Sequence, residues 1–322
     1  MSDTQQANEP SPRQSLLAQA KAGAIRCPIC VGRAEAHFVA GAHHMFRCIS
    51  CRNAFVAPMP DESYLADFYS NYHVGEGDDG NYANEAKMRA RHPAQIALVR
   101  AHTGGDPGRL LDIGCGKGFF LRECVDQGIA CAGIELSDTA ADYARRELGL
   151  DVIAGRLDEI GSAPADRKPA LLTSSLYASE GAFDTATMWG VIEHLRDPLK
   201  MLCATARVLR PGGKLFVQTG IGDDWLERLL PGVNQWYDPP QHLFVFSAPG
   251  IQACGERAGF DLAHIDCWYE YSQSRRVVKF VRNGATAFML RAVATLGRLA
   301  RPPFQVTKFP LALDMFAVFT KR

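Results

Sequence analysis

The sequence predicts an α/β protein: a sheet covered by helices on both faces, preceded by a small cysteine-paired module. Three observations predict it. From residue 109 onward, short β-like runs alternate with helical stretches, the pattern of strands buried between two helical layers. Near the front, four cysteines fall into two CxxC pairs, Cys27 with Cys30 and Cys48 with Cys51, with 17 residues between the pairs. The 322 residues are 47% hydrophobic, enough apolar surface for one large core and a smaller module.

Charge and composition narrow the function. Thirty-five Lys and Arg balance 35 Asp and Glu, so no net positive field argues for a nucleic-acid partner, and none is expected. No run approaches the roughly 18 apolar residues of a membrane span. The opening MSDTQQANEPSPRQS lacks the basic end and apolar centre of a secretory signal, so a cytoplasmic location is expected. The cysteines outside the two pairs are scattered through apolar or small-residue stretches, which fits a reducing compartment rather than a disulfide framework.

Taken in order, residues 1–22 are rich in Ser, Gln, Pro and Ala and are expected to be a disordered tail. Residues 23–57 hold the CxxC pairs. Each CxxC turn presents two sulfurs on one side of a tight loop, and two such loops offer four thiolates to one Zn²⁺, replacing the core that about 40 residues cannot supply. Cys27, Cys30, Cys48 and Cys51 are therefore the expected ligands of a zinc ribbon. With all four positions filled by protein the metal is structural, since a catalytic zinc keeps one position open. His37, His43 and His44 between the pairs are read as loop residues. Residues 58–104 form a helical connector or lid. Its first helix carries Tyr64, Phe68 and Tyr72 at i, i+4 spacing, an aromatic face. Tyr69, Tyr72 and His73 are candidates for the wall of a site. A second helix is expected over 83–102, kinked or broken at Pro93. Residues 105–322 form the main domain, with strands at RLLDIG, CAGIEL, DVIAG, FDTATMW, KLFVQT, DLAHIDCW and LDMFAVFTK. Helices are expected near 119–127, 138–148, 197–209 and 247–258, with an irregular insertion at 161–182.

Ligands of such sheets sit at the carboxyl ends of the strands, where the strand order switches. The stretch LLDIGCGKGFF ends the first strand there, with Gly114, Gly116 and Gly118 letting the backbone turn tightly and approach a ligand closely. A dinucleotide fingerprint would need glycine where this chain has Phe119. Asp112 repels phosphate but suits a cationic ammonium or sulfonium. Glu135 closes the second strand 23 residues later, where a carboxylate accepts hydrogen bonds from both ribose hydroxyls. Acid on both strands describes a nucleoside without phosphates.

Through LLDIGCGKG, GIELS and FDTATMWGVIEHLRDP, the sequence resembles the class I S-adenosylmethionine (SAM) dependent methyltransferases over roughly residues 85–322. The resemblance implies a Rossmann-like, mostly parallel seven-stranded sheet with the last strand antiparallel. It also implies SAM as cofactor, with the 114–118 loop beside its methionine part and Glu135 on the ribose, and Cys115, Phe119 and Leu136 among the cofactor-binding residues. Leu157 and Asp158 would lie near adenine, and Met188, Trp189 and Gly190 would line the cofactor, although Gly190 stands where the family often carries an acid. The whole order, from CPIC through RCISCRNAFVAPMP to DPPQHLFVFS, resembles zinc-ribbon methyltransferases of natural-product, sugar or cell-envelope biosynthesis, with Asn53 and Ala54 departing from the usual end of the second knuckle.

Methyl transfer is an in-line displacement, so the enzyme aligns the acceptor and removes its proton where the acceptor is a hydroxyl or acidic carbon. His242 and His194 are the candidate bases. Glu193, Trp236, Tyr237 and Gln241 are candidate acceptor contacts, with core packing the competing role for the two aromatic residues. Residues 271–309 form a basic, apolar-interleaved insertion, open between a helical cap facing water and a contact for an anionic acceptor or a peripheral membrane surface. The expected function is methyl transfer from SAM to a small-molecule acceptor, O- or C-linked, of sugar, nucleotide-sugar or secondary-metabolite type. The alternatives are a ribosomal-RNA base methyltransferase and an inactive SAM-fold protein that binds a partner.

Overall fold

The computed structural model describes residues 12–72, 89–159, 180–222, 236–269 and 313–322. His73, most of the 161–182 insertion, the basic stretch 271–309 and the side chains of Tyr69 and Tyr72 lie outside the described residues.

The main sheet is built from β4 (Leu110–Ile113), β5 (Cys131–Glu135), β6 (Val152–Ala154), β7 (Phe183–Trp189), β8 (Leu209–Gly220), β10 (Phe260–Tyr269) and β11 (Leu313–Lys321). Its order is β10-β11-β8-β7-β4-β5-β6. β11 runs antiparallel to both its neighbours, while the pairs among β8, β7, β4, β5 and β6 are parallel. All four residues of β4 are buried, as a strand covered on both faces requires. Alternate side chains reach opposite cores. Leu110 and Phe216 pack with helices α3 (His92–His102), α4 (Phe119–Asp126) and α5 (Asp138–Arg146), whereas Leu111, Ile113, Met188 and Val217 pack with α6 (Pro198–Val208) and α7 (Ala248–Arg257). The expected Rossmann-like architecture is the one observed.

Local chemistry sets the helix starts. Ser137, Asp197 and Ser247 each accept a backbone N–H of their own first turn, satisfying a donor the helix cannot. Pro93 marks the expected break: residues 90 and 91 form a turn between helical Arg89 and the start of α3 at His92, and the proline sits in the first turn of α3, where its missing N–H costs no helical bond. The expected tail over 1–22 is corrected in part. Residues Pro12–Lys21 form α1, with Ala20 buried and Leu16 packed against the main core.

The cysteine module contributes a second sheet, β1 (Ala34–Ala40), β2 (His43–Cys48) and β3 (Ala54–Val56), whose fourth strand is β9 (Phe244–Val245). Ala54 and Phe55 pair with Val245 and Phe244. A segment 190 residues away in sequence thus completes the ribbon sheet (Ala54 to Phe244), and Cys27, Cys48 and Cys51 share one apolar cluster with α6, α7 and the main sheet. Between β3 and α3 lies α2 (Glu62–Tyr72).

Candidate active site

The strand order switches between β4 and β7, and the space beyond their carboxyl ends is where such sheets take a ligand. The loop after β4 enters it with Gly114, Gly116 and Gly118 all at positive φ. Gly114 also leaves no room for a side chain, because a Cβ there would stand 2.6 Å from Val191, which follows β7. Glu135, at the end of β5, accepts the Gly116 N–H and the Ser137 N–H, each at 2.8 Å, one on each carboxylate oxygen. One acid therefore ties the glycine loop to the next strand and keeps lone pairs for further donors. Asp112 lies beneath, buried, accepting the Thr187 hydroxyl at 2.6 Å. Burial, partly offset by that hydrogen bond, pushes its carboxyl up to about 7.

Around this cradle, Leu136 is 60% exposed directly after Glu135, an apolar surface beside the loop. Cys115, Phe119 and Leu157 are buried behind the loop. Asp158 is also buried, and its carboxylate is taken up by Arg156 at 2.9 Å and Lys200 at 3.3 Å. Met188 is wholly inside the core. Trp189 stacks on Phe316 on the opposite face of the sheet, and Gly190 turns the chain with φ +69°.

The turn after β7 brings a second group together. Glu193 is buried, accepts the Thr219 hydroxyl at 2.9 Å through Oε2, and turns Oε1 toward His194 Nε2 at 4.0 Å. Burial raises its carboxyl above the ordinary range. His194 Nδ1 meets the Gln241 carbonyl at 2.7 Å, and His242 Nδ1 meets the Trp236 carbonyl at 3.1 Å. A carbonyl only accepts, so each Nδ1 carries a proton and directs Nε2 away from that carbonyl. The ring centroids of the two histidines are 4.9 Å apart, and Trp236 lies 5.0 Å from His242. One ligand atom from each of Glu193, His194 and His242 falls within 4.8 Å of the others, a spacing that suits proton exchange or one small cation. Trp236 itself covers Gly220 at the end of β8, where any Cβ would run into its ring.

Residues 85–265 match the family described as a methyltransferase domain. The chain belongs to this family and is a class I SAM-dependent methyltransferase. It is similar to the ubiquinone biosynthesis O-methyltransferase of Methylococcus capsulatus, at 28% identity over 185 residues, covering 50% of this chain and 72% of that protein. It is similar also to the protein of the same description from Xanthomonas oryzae pv. oryzae, at 28% identity over 163 residues, covering 47% of this chain and 64% of that one. Among solved structures, it is similar to a 1,6-didemethyltoxoflavin-N1-methyltransferase from Burkholderia thailandensis, at 16% identity and a TM-score of 0.49, covering 89% of this chain and 99% of that one.

The methyltransferase carries its cysteine cluster on the α7 side of the sheet. The Cys27 and Cys51 sulfurs are 3.6 Å apart and those of Cys30 and Cys48 are 3.4 Å apart, with all four within 4.8 Å of one another. Four sulfurs about 2.3 Å from a central zinc would stand about 3.8 Å apart at tetrahedral corners, so the donor set fits that ion. The Cys51 thiol hydrogen-bonds Cys27, which holds Cys27 down at about 6 and pushes Cys51 up.

Several residues that shape the site escaped the sequence reading. Thr187 and Thr219 lie on strands as ordinary β-formers, and only tertiary placement turns their hydroxyls onto Asp112 and Glu193. Asn53, read only as a departure from pattern, is fully buried and accepts the Ser247 N–H at 2.9 Å. Arg47 reaches Gly222 O at 2.8 Å and the Tyr237 hydroxyl at 2.5 Å. Its alternation in HHMFRC carried no signal of this. Among the described residues no helix is long and apolar enough to cross a membrane.

Proposed function

We propose that this methyltransferase moves a methyl group from SAM to a hydroxyl or acidic carbon of a small acceptor, of sugar, nucleotide-sugar or secondary-metabolite type. The observation that carries the reading is the pair of adjoining half-sites: a glycine loop flanked by Asp112 and Glu135, and a buried Glu193 beside two imidazoles on the neighbouring turn. Glu135 receives the ribose hydroxyls on its remaining lone pairs. Leu136 offers its exposed face to adenine. Asp112, in its ionised form, and the loop at Gly114, Cys115, Gly116 and Gly118, backed by Phe119, hold the cationic methionine end. Leu157, Asp158 and Gly190 complete the floor, with Asp158 acting through Arg156 and Lys200 rather than as a bare acceptor, while Met188 in the core and Trp189 on the opposite face support β7.

SAM, when bound, supplies an electrophilic sulfonium methyl. The chain's own work is alignment and proton removal. An acceptor O–H directed at Nε2 of His194 or His242 would give its proton to the ring, leaving the oxygen nucleophilic toward the methyl group that bound SAM would supply. Glu193, steadied by Thr219, stabilises the imidazolium so formed, while the Gln241 and Trp236 carbonyls keep each ring in its Nδ1–H tautomer. Trp236 and Tyr237 wall the acceptor; of the other candidates, the side chains of Tyr69 and Tyr72 and the whole of His73 lie outside the described residues. Cys27, Cys30, Cys48 and Cys51 hold one structural Zn²⁺.

The similarity to ubiquinone biosynthesis O-methyltransferases adds support for a small-molecule acceptor and for oxygen as the methylated atom. Calorimetric titration of the zinc-loaded protein with SAM, S-adenosylhomocysteine and NAD tests the cofactor. Micromolar binding of the first two alone is expected, followed by an acceptor screen among sugars, nucleotide sugars and phenols. NAD binding, or no SAM binding by folded, zinc-loaded protein, would overturn the assignment.

A further inference from the structure

We propose that the cysteine ribbon positions the proton-handling cluster of the transferase site, with Arg47 and Asn53 as the positioning residues. The inference rests on the assignment of Glu193, His194 and His242 as that cluster, and it deepens it by naming what holds them in place.

The hydrogen bonds form a continuous path. Val56, at the end of β3, donates its N–H to Leu243 O at 2.9 Å, and Leu243 donates its own N–H to Glu193 O at 2.8 Å. The ribbon backbone is therefore one residue removed from the backbone of the acid. Leu243 is flanked by His242 on one side and β9 on the other, so pairing of Phe55 with Phe244 fixes the strand that carries the His242 ring. The preceding residue, Gln241, gives the carbonyl that orients His194. The stretch 241–243 thus touches all three members of the cluster, and β3 is what this stretch lies against.

Two side chains lock the ribbon to this stretch. Asn53 Oδ1 accepts the Ser247 N–H, while the Ser247 hydroxyl donates to Cys51 O at 2.5 Å and accepts the Gly250 N–H at 2.9 Å. The carbonyl of a thiolate-bearing residue is thereby joined to the N-cap of α7. Any side chain at Gly250 would collide with Asn53, so this fit is steric as well as polar. At the other end, Arg47 bridges Gly222, just past β8, and the Tyr237 hydroxyl, just before the His242 loop. His37 adds a contact to the same hydroxyl at 3.2 Å. One ribbon arginine closes both ends of the connection that leads from β8 to the cluster.

The geometry of the ribbon depends on its four sulfurs, because a module of about 35 residues has too little core to hold three short strands by itself. A tetrahedral ion at Cys27, Cys30, Cys48 and Cys51 fixes both knuckles, and through Cys51, Asn53 and Val56 it fixes the 241–247 stretch. No hydrogen bond of the glycine cradle runs through these contacts, since Glu135 and Asp112 hold Gly116, Ser137 and Thr187. The expected result is a separation: loosening the ribbon disorders the proton-handling side and spares the cofactor side.

The test uses full-length protein, zinc-loaded or stripped with EDTA, together with Arg47→Met, Arg47→Lys and Asn53→Ala in the loaded form. Three readouts are taken: amide hydrogen exchange of peptides covering 241–247, the ring ¹⁵N signals of His194 and His242, and the affinity for S-adenosylhomocysteine. Stripping, Arg47→Met and Asn53→Ala are each expected to speed exchange over 241–247 about tenfold or more and to move the ring signals off the Nδ1–H tautomer. S-adenosylhomocysteine affinity should stay within about twofold, and Arg47→Lys should recover part of the protection. Unchanged exchange and ring signals while the ribbon amides open would overturn the proposal. So would a parallel loss of S-adenosylhomocysteine binding, which would mark a general loosening. If the wild-type protein binds no S-adenosylhomocysteine, the cofactor assignment fails, and the exchange and ring signals still decide whether ribbon and cluster are coupled.

Discussion

Asp112 shows how one buried carboxyl links cofactor binding to stability. Its ordinary pKa of about 3.9 is raised to about 7 in the cofactor-free fold by burial. The native state therefore keeps a proton that the unfolded chain gives up, so this group's contribution to stability falls as pH rises from about 4 to about 7. Ionised Asp112 attracts a cationic ligand, so affinity moves the other way: SAM binding should weaken about tenfold from pH 8 to about pH 6, and calorimetry at both values reads it directly. Asp112→Asn should abolish that dependence, lower affinity, and raise the melting temperature of the cofactor-free protein most above pH 7. A pH-independent SAM affinity in the wild type would remove Asp112 from the site. Glu135→Ala deletes an acceptor for two backbone amides and, on the proposed reading, for the ribose, and should weaken SAM binding by about ten- to a hundredfold. Asp112 and Glu135 stood out in the sequence as acids at two strand ends, whereas the hydrogen bonds they make to Thr187, Gly116 and Ser137 are visible only in the fold. The sequence left Asn53 illegible, because a buried amide is recognised by its partners, here Ser247 and Cys51, and these lie far apart in the chain.

At the scale of elements, strands and helices of the main sheet were readable because their signals are local: apolar runs for the strands, and Ser137, Asp197 and Ser247 ahead of the helices they cap. Pro93 was legible as a break because its ring suits a helix start and not a helix interior, and the turn at residues 90 and 91 before the start at His92 is where the break falls. β9 was invisible for a different reason. Two residues have no periodicity, and Phe244–Val245 becomes a strand because β3 offers it an edge. Ser247 joins these two worlds, as cap of α7 and as donor to the second knuckle. Ser247→Ala should therefore cost more than an ordinary cap, about 2 kcal/mol or above, measured as a lower urea midpoint at unchanged slope. Gly220→Ala addresses the acceptor side alone. Its methyl displaces the Trp236 ring, so turnover should fall while S-adenosylhomocysteine affinity holds, and a normal rate would show that Trp236 has no part in the acceptor wall.

For the molecule as a whole, the decisive feature is that ribbon and catalytic sheet share an apolar core. Phe46 and Phe55 of the ribbon pack in the same cluster as Met188, Leu202 and Val217, and separating them would expose large buried side chains at about 1.5–3 kcal/mol each. An independent zinc module would open alone. With the proposed zinc in place, a module welded to the sheet would give up its metal when the core opens, and release would then be sensitive to a ligand bound at the carboxyl ends of the strands. S-adenosylhomocysteine at about 100 times its dissociation constant stabilises the native state by about 2.7 kcal/mol, a factor of about 100 in the population of the fully open form. The rate at which a chelating dye captures zinc from the loaded protein should then slow by about that factor when opening is global. A capture rate indifferent to the ligand would mean that Cys27, Cys30, Cys48 and Cys51 release the ion through a local opening, and that the shared core is weaker than the burial of Phe46 and Phe55 implies.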